Sequence, residues 1–224
     1  MNEVIVQSST GVTLAGGGGF SLKLLRLARS WAPRLVAADG GADRLLRYGA
    51  EPEAVIGDFD SISAAARARL EGRLFPIAEQ MTTDFDKALR SIVAPFVLGL
   101  GFSGARLDHG LAVLNGLVSQ AGRRCLILGA EDVTFVAPRR LALDLPAGSR
   151  LSLFPMGPVR GESRGLRWPI RGIGFAPGGA IGTSNEVTGP VTLEFDADLM
   201  LVILPLSAMA AALDGLQLTG VRGR

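Results

Sequence analysis

Through its first 138 residues the chain alternates short, nearly unbroken apolar runs with segments of helical period. Val12 to Ala15, Leu35 to Ala38, Ala54 to Gly57, Leu74 to Ile77, Phe96 to Leu100 and Cys125 to Leu128 read as strands, each too continuously apolar to show a solvent face. Between them lie predicted helices. Ser21 is placed to cap one running to Arg29, Ala42, Leu45 and Leu46 mark one face of a second that Gly49 stops, and Ser63 opens a third over 64–70. Phe85, Ala88, Leu89, Ile92 and Val93 recur at i, i+3, i+4, i+7 and i+8, which predicts an amphipathic helix capped by Thr82 or Thr83. A further helix is expected from about Asp108 to Gln120. Strands and helices alternating at this spacing imply a parallel sheet covered by helices on both faces.

After Pro138 the pattern changes to strand-like runs over 141–145, 150–154, 180–183, 191–195 and 199–204, separated by glycine, proline and asparagine turns, with helix expected only over 208–213. The expected fold class is therefore α/β: an N-terminal, Rossmann-like three-layer domain with a parallel sheet over residues 1–138, then a C-terminal all-β sandwich over 139–224.

Composition narrows the chemistry. The chain has 224 residues, 48% of them hydrophobic, with one cysteine, one histidine and a formal net charge of +2. As the single cysteine, Cys125 excludes an intrachain disulfide and a thiolate zinc cluster; it sits in an apolar run and reads as a buried thiol, and any imidazole chemistry falls to His109. No window reaches the about 18 uncharged apolar residues of a membrane span, and the opening MNEVIVQSSTGVTL lacks the basic region and apolar core of a signal peptide. No membrane partner is expected, and the expected location is cytoplasmic. Basic residues are scattered, adjacent only at Arg123-Arg124 and Arg139-Arg140, without a stripe for nucleic acid.

Against that background the segment Ile56-Gly57-Asp58-Phe59-Asp60-Ser61 stands out. In an extended backbone, Asp58 and Asp60 would point the same way and could grip one cation. Oxygen-only ligands suit Mg²⁺, which binds one or two carboxylates together with substrate phosphates. Ligands of a parallel sheet lie beyond the carboxyl ends of its strands, where Asp39, Asp58, Asp60 and Asp84 all fall. The plainer reading makes each a turn residue or helix cap. Glycines 16–19 could cradle a phosphate or simply form a tight turn, and Gly99, Gly101 and Gly104 fit the dinucleotide pattern weakly, because the third glycine precedes the expected helix. Arg106, Asp108 and His109 put a cation, an acid and an imidazole at the start of that helix, where Arg106 could meet phosphate and Asp108 could cap the helix. Trp168 reads as core, and Gly182-Thr183-Ser184-Asn185 as a polar turn.

Six segments in order, ADGGADRLL (38–46), GDFDSI (57–62), TTDFDKAL (82–89), GARLDHGLAVL (104–114), GLRWPI (165–170) and GTSNEV (182–187), resemble the thiamine pyrophosphokinase family. The resemblance implies transfer of diphosphate from ATP to the hydroxyl of thiamine, giving thiamine diphosphate and AMP, in a homodimer with active sites between subunits. It implies that Asp58, Asp60 and Asp84 are the Mg²⁺-binding and catalytic acids, and that Asp39, Gln80 and Thr83 line the ATP cleft. Arg106 and Asp108 would be its phosphate-side pair, Trp168 would stack on thiamine's pyrimidine, and Ser184 and Asn185 would help hold the vitamin. Met81 stands where many family members carry an acid, which argues against a two-metal arrangement. Two other readings compete. Asp58-Phe59-Asp60-Ser61 is similar to the start of an aspartyl-phosphate phosphatase motif, although that motif follows a first strand and this one a third; and the Gly99–Gly104 region suits a non-catalytic nucleotide binder.

Overall fold

The computed structural model describes residues 3–104 and 106–221, and the chain divides into two compact units. One runs to Ala130 and is joined by the far terminus at Val221; the other spans Glu131–Gly220.

The first unit contains β1 (Val6–Gln7), β2 (Val12–Ala15), α1 (Leu22–Trp31), β3 (Arg34–Ala38), α2 (Gly41–Arg47), β4 (Ala54–Gly57), α3 (Ala64–Arg69), β5 (Leu74–Pro76), α4 (Asp84–Arg90), β6 (Ile92–Val93), β7 (Val97–Leu100), α5 (Leu107–Ser119) and β8 (Cys125–Leu128). Six strands pair in parallel in the order β8-β7-β2-β3-β4-β5. From β2 the chain builds outward to β5, then returns to the other side of β2 through β7 and β8, so the order reverses between β2 and β7. Ligand crevices form at such a reversal, beyond the carboxyl ends of the strands. β2, β4, β7 and β8 are buried at every position, which explains their unbroken apolar runs, and the one polar side chain in β2, Thr13, donates its hydroxyl to the Ala32 carbonyl at 2.6 Å.

Ser21 caps α1 and Ser63 caps α3, each accepting an N–H three residues on, as their positions predict. α4 is shorter than its apolar period suggests. It stops at Arg90, and Ile92 and Val93 instead form β6, which pairs with Val6 and Gln7 of β1. Both residues are β-branched and fit a strand better than a helix end. Burial pushes the Cys125 thiol's pKa up, which fits an inert side chain.

The second unit contains β9 (Asp132–Val136), β10 (Arg140–Leu143), β11 (Arg150–Pro155), β12 (Val159–Leu166), β13 (Gly174–Phe175), β14 (Gly182–Phe195), β15 (Met200–Pro205) and α6 (Met209–Gly215). These strands pair antiparallel: β9 with β15, β15 with β11, β11 and β10 with β14, and β14 with β12, which also takes β13. β9 lies before the expected boundary at 138/139 but pairs with β15 over five residues, so it belongs to this unit. β14 joins two expected strands, 180–183 and 191–195, into one of 14 residues, so Gly182 to Asn185 lies within a strand, irregular at Ser184 where the register with β11 shifts, and is not the turn expected. Its first half pairs with β11 and its second half lies between β10 and β12. At Gly165 (φ 72°) a Cβ would sit 2.2 Å from the Pro190 carbonyl oxygen, so only glycine allows β12 to bulge against β14 there. Among the described residues, no helix is long and apolar enough to cross a membrane.

Candidate active site

The parallel sheet delivers its acids to one edge. Asp39 follows β3, Asp58 and Asp60 follow β4, and Asp84 is the first residue of α4; one carboxylate oxygen from each lies within 4.8 Å of the others. Gly57 makes this packing possible. A Cβ there would stand 2.9 Å from Asp39 Cβ and 3.1 Å from Asp84 Oδ1, inside van der Waals contact.

The Asp58–Asp60 pair forms differently from the extended reading. β4 ends at Gly57 and Phe59 takes a left-handed backbone (φ 65°), so a tight turn, and not strand alternation, brings the carboxylates together. The Phe59 ring is buried under the Arg67 guanidinium, 5.7 Å from the ring centroid, and Arg67 also donates to the Phe59 carbonyl. Asp39 is held in the same way, with a left-handed backbone (φ 41°) and a buried carboxylate accepting the N–H groups of Ser61 (2.9 Å) and Ile62 (3.1 Å). Two non-glycine residues in this costly region at one site mean that the surrounding contacts impose the shape.

The electrostatics are uneven. Burial, with Asp60 and Asp84 nearby, pushes Asp39 up to about 6, despite the Ser61 N–H that favours its charge. Asp58 moves the other way. Its Oδ2 accepts from Lys87 Nζ at 2.7 Å and from Gln80 Nε2 at 3.3 Å, and the lysine holds its pKa below the ordinary carboxylate range. Lys87 Nζ also reaches Asp84 Oδ1 at 3.1 Å, and the side chain is only 1% exposed. Burial opposes the ammonium's charge, but the hydrogen bonds to Asp58 and Asp84 prevail and raise its pKa. The sequence reading did not select Lys87. Its signal was the spacing in TTDFDKAL, where Lys87 lies three residues after Asp84 on one helix face.

Thr83 caps α4 in a capping box with Asp86, whose N–H it accepts and whose Oδ2 takes its N–H (3.2 Å) and hydroxyl (2.7 Å). Its hydroxyl thus fixes the start of α4 and places Asp84. Met81 is 93% exposed, and the acid nearest it in sequence, Glu79, accepts from the Met81 and Thr82 main chain and from Arg90, which, with the Thr82 hydroxyl, hold it down to about 2. Glu79 is therefore committed to its own loop. Arg106 and Asp108 form a forked pair, Nη2 to Oδ2 at 2.6 Å and Nε to Oδ1 at 3.2 Å, about two-thirds exposed, and these bonds hold the two to each other and not to the acidic cluster. Arg106 occupies the N-cap position and Asp108 the first turn, so Asp108 is not the cap; His109 beside it is exposed. The glycines of the loops after β2 and β7 pack on each other: Gly101 (φ 73°) would bring a Cβ within 2.7 Å of Gly16 O and 2.9 Å of Gly18 O. Gly104 lies before α5, so the dinucleotide pattern is not formed.

In the second unit, Trp168 is not core. It is 54% exposed, and the Arg167 guanidinium lies 5.0 Å from the ring centroid while pairing with Glu186 at 3.1 Å. Asn185 is buried and grips the Trp168 main chain in both directions: Nδ2 donates to Trp168 O at 2.7 Å, and Oδ1 accepts the N–H groups of Trp168 (3.2 Å) and Glu186 (2.9 Å). Its carboxamide is thus spent on positioning the tryptophan. Ser184 has a left-handed backbone (φ 60°), donates its N–H to Ser152 Oγ at 2.9 Å, and leaves its own side chain exposed.

Two family models match the chain: "Thiamin pyrophosphokinase, catalytic domain" over residues 25–127 and "Thiamin pyrophosphokinase, vitamin B1 binding domain" over 139–200. A curated relative, thiamine pyrophosphokinase 1 of Oryza sativa subsp. japonica, is 27% identical over 206 residues, covering 75% of this chain and 77% of its own. Among solved structures, thiamin pyrophosphokinase from Candida albicans superposes with a TM-score of 0.74 at 18% identity, covering 87% of this chain and 90% of that one. The yeast enzyme superposes with 0.72 at 16% identity, covering 92% and 93%. At these identities the structures establish likeness of fold.

Proposed function

The chain belongs to the thiamin pyrophosphokinase family, and from that premise we propose that its acidic cluster is the seat of diphosphate transfer. The activity is that of a thiamine diphosphokinase: ATP and thiamine give thiamine diphosphate and AMP. We read the first unit as a Rossmann-like, three-layer catalytic domain that takes ATP and the metal, the second as a β-sandwich that takes thiamine, and keep the division near 138/139 for the two roles.

The observation that carries the site assignment is the convergence of four carboxylates within 4.8 Å beyond the carboxyl ends of β3 and β4, on the ligand-binding edge of a parallel sheet. The donor set fits a hard divalent cation, Mg²⁺ in our reading, because every ligand atom is a carboxylate oxygen. Asp58, Asp60 and Asp84 would hold it, with Asp39 and Gln80 beside them. When bound there, Mg²⁺ would offset the charge of the triphosphate; in the transfer the thiamine hydroxyl bonds to the β-phosphorus in line and loses its proton, as the bond from the β-phosphorus to the AMP oxygen breaks. The chain's own residues orient the partners. Thr83 starts α4 so that Asp84 faces Asp58; Arg106, steadied by Asp108, offers a planar fork to phosphate oxygens. Trp168 offers an aromatic face to the thiamine ring system, Asn185 fixes that tryptophan's backbone, and Ser184, the residue before Asn185, presents an exposed side chain. An indole left half exposed suits a homodimer in which each site is completed by a second subunit. We place the enzyme in the cytoplasm.

The test is substitution at the cluster. Asp58→Asn and Asp60→Asn should each lower AMP release by at least about 10³-fold with circular dichroism unchanged; turnover within tenfold of wild type would remove these acids from the chemistry.

A further inference from the structure

Among the described residues, Lys87 is the one cation paired with the acidic cluster. Its Nζ lies 2.7 Å from Asp58 Oδ2 and 3.1 Å from Asp84 Oδ1, joining a carboxylate that follows β4 to one at the start of α4. With the side chain 1% exposed, the ammonium is not presented to an incoming triphosphate, so a phosphate-binding role is ruled out by access. What it does is bridge two carboxylates, which is what a metal ion does in a two-metal site. A Mg²⁺ in the same place would need oxygens at about 2.1 Å, reached if the two carboxylates closed by about 0.6 and 1.0 Å. We propose that the Lys87 ammonium stands in the position where a second divalent cation would bridge Asp58 and Asp84, so that the protein by itself holds one such ion and not two.

Charge supports the assignment. The four carboxylates carry a formal −4 and Lys87 contributes +1, leaving −3. One divalent ion brings this to −1, and a second would make it +1 before any substrate arrives. Without Lys87 the sum is −4, which two divalent ions neutralise. The remaining oxygens follow the same logic, since Lys87 engages Asp58 Oδ2 and Asp84 Oδ1 and does not engage Asp58 Oδ1, which accepts the Asp60 N–H at 3.4 Å, or Asp84 Oδ2. Position 81 adds no acid to the site, because it is Met81, and Glu79 two residues before it is committed to Arg90 and Thr82.

The inference rests on reading the cluster as a divalent-metal site, and the experiment separates the two. The full-length protein is titrated with Mn²⁺ without nucleotide, and bound ions per chain are counted by electron paramagnetic resonance for wild type, Lys87→Met and Asp58→Asn. Methionine keeps much of the lysine stem's volume without its charge, and circular dichroism reports folding. The expected result is one more Mn²⁺ per chain in Lys87→Met than in wild type, with wild-type binding weakened at least tenfold by Asp58→Asn. Equal stoichiometry in wild type and Lys87→Met overturns the role of Lys87. Wild-type binding that Asp58→Asn does not alter overturns the metal reading itself, and the inference with it. If Lys87→Met does not fold, the wild-type count decides: one Asp58-dependent ion supports the inference and two overturn it.

Discussion

Asn185→Ala tests whether Trp168 is a placed residue or merely an exposed one. The carboxamide makes three hydrogen bonds to main-chain groups: the Trp168 carbonyl, the Trp168 N–H and the Glu186 N–H. Oxygen and nitrogen cannot be exchanged, since one end faces two donors and the other an acceptor. Alanine removes all three partners at a site only 6% exposed, at about 1 kcal/mol each, or about 3 kcal/mol. If the chain melts as one unit of this size, that corresponds to a fall in Tm of about 6–12 °C. Released from Asn185, the Trp168 main chain loses these two hydrogen bonds, and the indole loses its fixed aim. The KM for thiamine should therefore rise about tenfold with the KM for ATP unchanged, read by AMP release at varied concentrations of each substrate. Asn185→Asp, which can still accept both N–H groups but cannot donate to the carbonyl, should lose less stability. A Tm within about 2 °C of wild type, or equal changes in both KM values, would refute the reasoning.

Two further outcomes follow from the geometry around Asp39. Gly57→Ala places a Cβ 2.9 Å from Asp39 Cβ and 3.1 Å from the Asp84 carboxylate, so turnover should drop by about 10²-fold while stability falls by only about 1–3 kcal/mol; near-normal turnover would show that the acids need not pack so closely. Asp39 has its folded pKa raised to about 6, so the stability it contributes is full below its ordinary value of about 3.9 and is lost as pH rises through about 6. In metal-free protein, Asp39→Asn should therefore flatten the decline in Tm between pH 4 and pH 7, and an unchanged slope would contradict the burial argument.

Much of the scaffold was legible because its signals are local. Ser21 and Ser63 announce helix starts in the residues that follow them, and Ala54–Gly57 is an apolar run bounded on both sides. The failures share a non-local cause. Ile92 and Val93 continue the helical period of α4, yet they pair with Val6 and Gln7 more than 80 residues earlier, a partner no window contains. β12, VRGESRGL, carries too few apolar residues to read as a strand, and it exists because β14 offers it a ladder. In the site, the acids were legible from their positions after strands, but the left-handed turn at Phe59 that joins Asp58 to Asp60 has no sequence mark. Lys87 and Asn185 were misjudged for a related reason. A lysine in an amphipathic helix normally faces water and an asparagine at the end of a Gly-Thr-Ser-Asn run normally marks a turn; only tertiary structure buries the first between two carboxylates and spends the second on a tryptophan backbone.

The central claim, that this cluster supports transfer of a diphosphate and not a single phosphate, is met most directly by identifying the nucleotide released when the purified chain is given ATP, Mg²⁺ and thiamine. AMP and thiamine diphosphate in equal amounts, both dependent on thiamine and both abolished by Asp58→Asn, are the predicted result. ADP with thiamine monophosphate, or nucleotide release indifferent to thiamine, would contradict it.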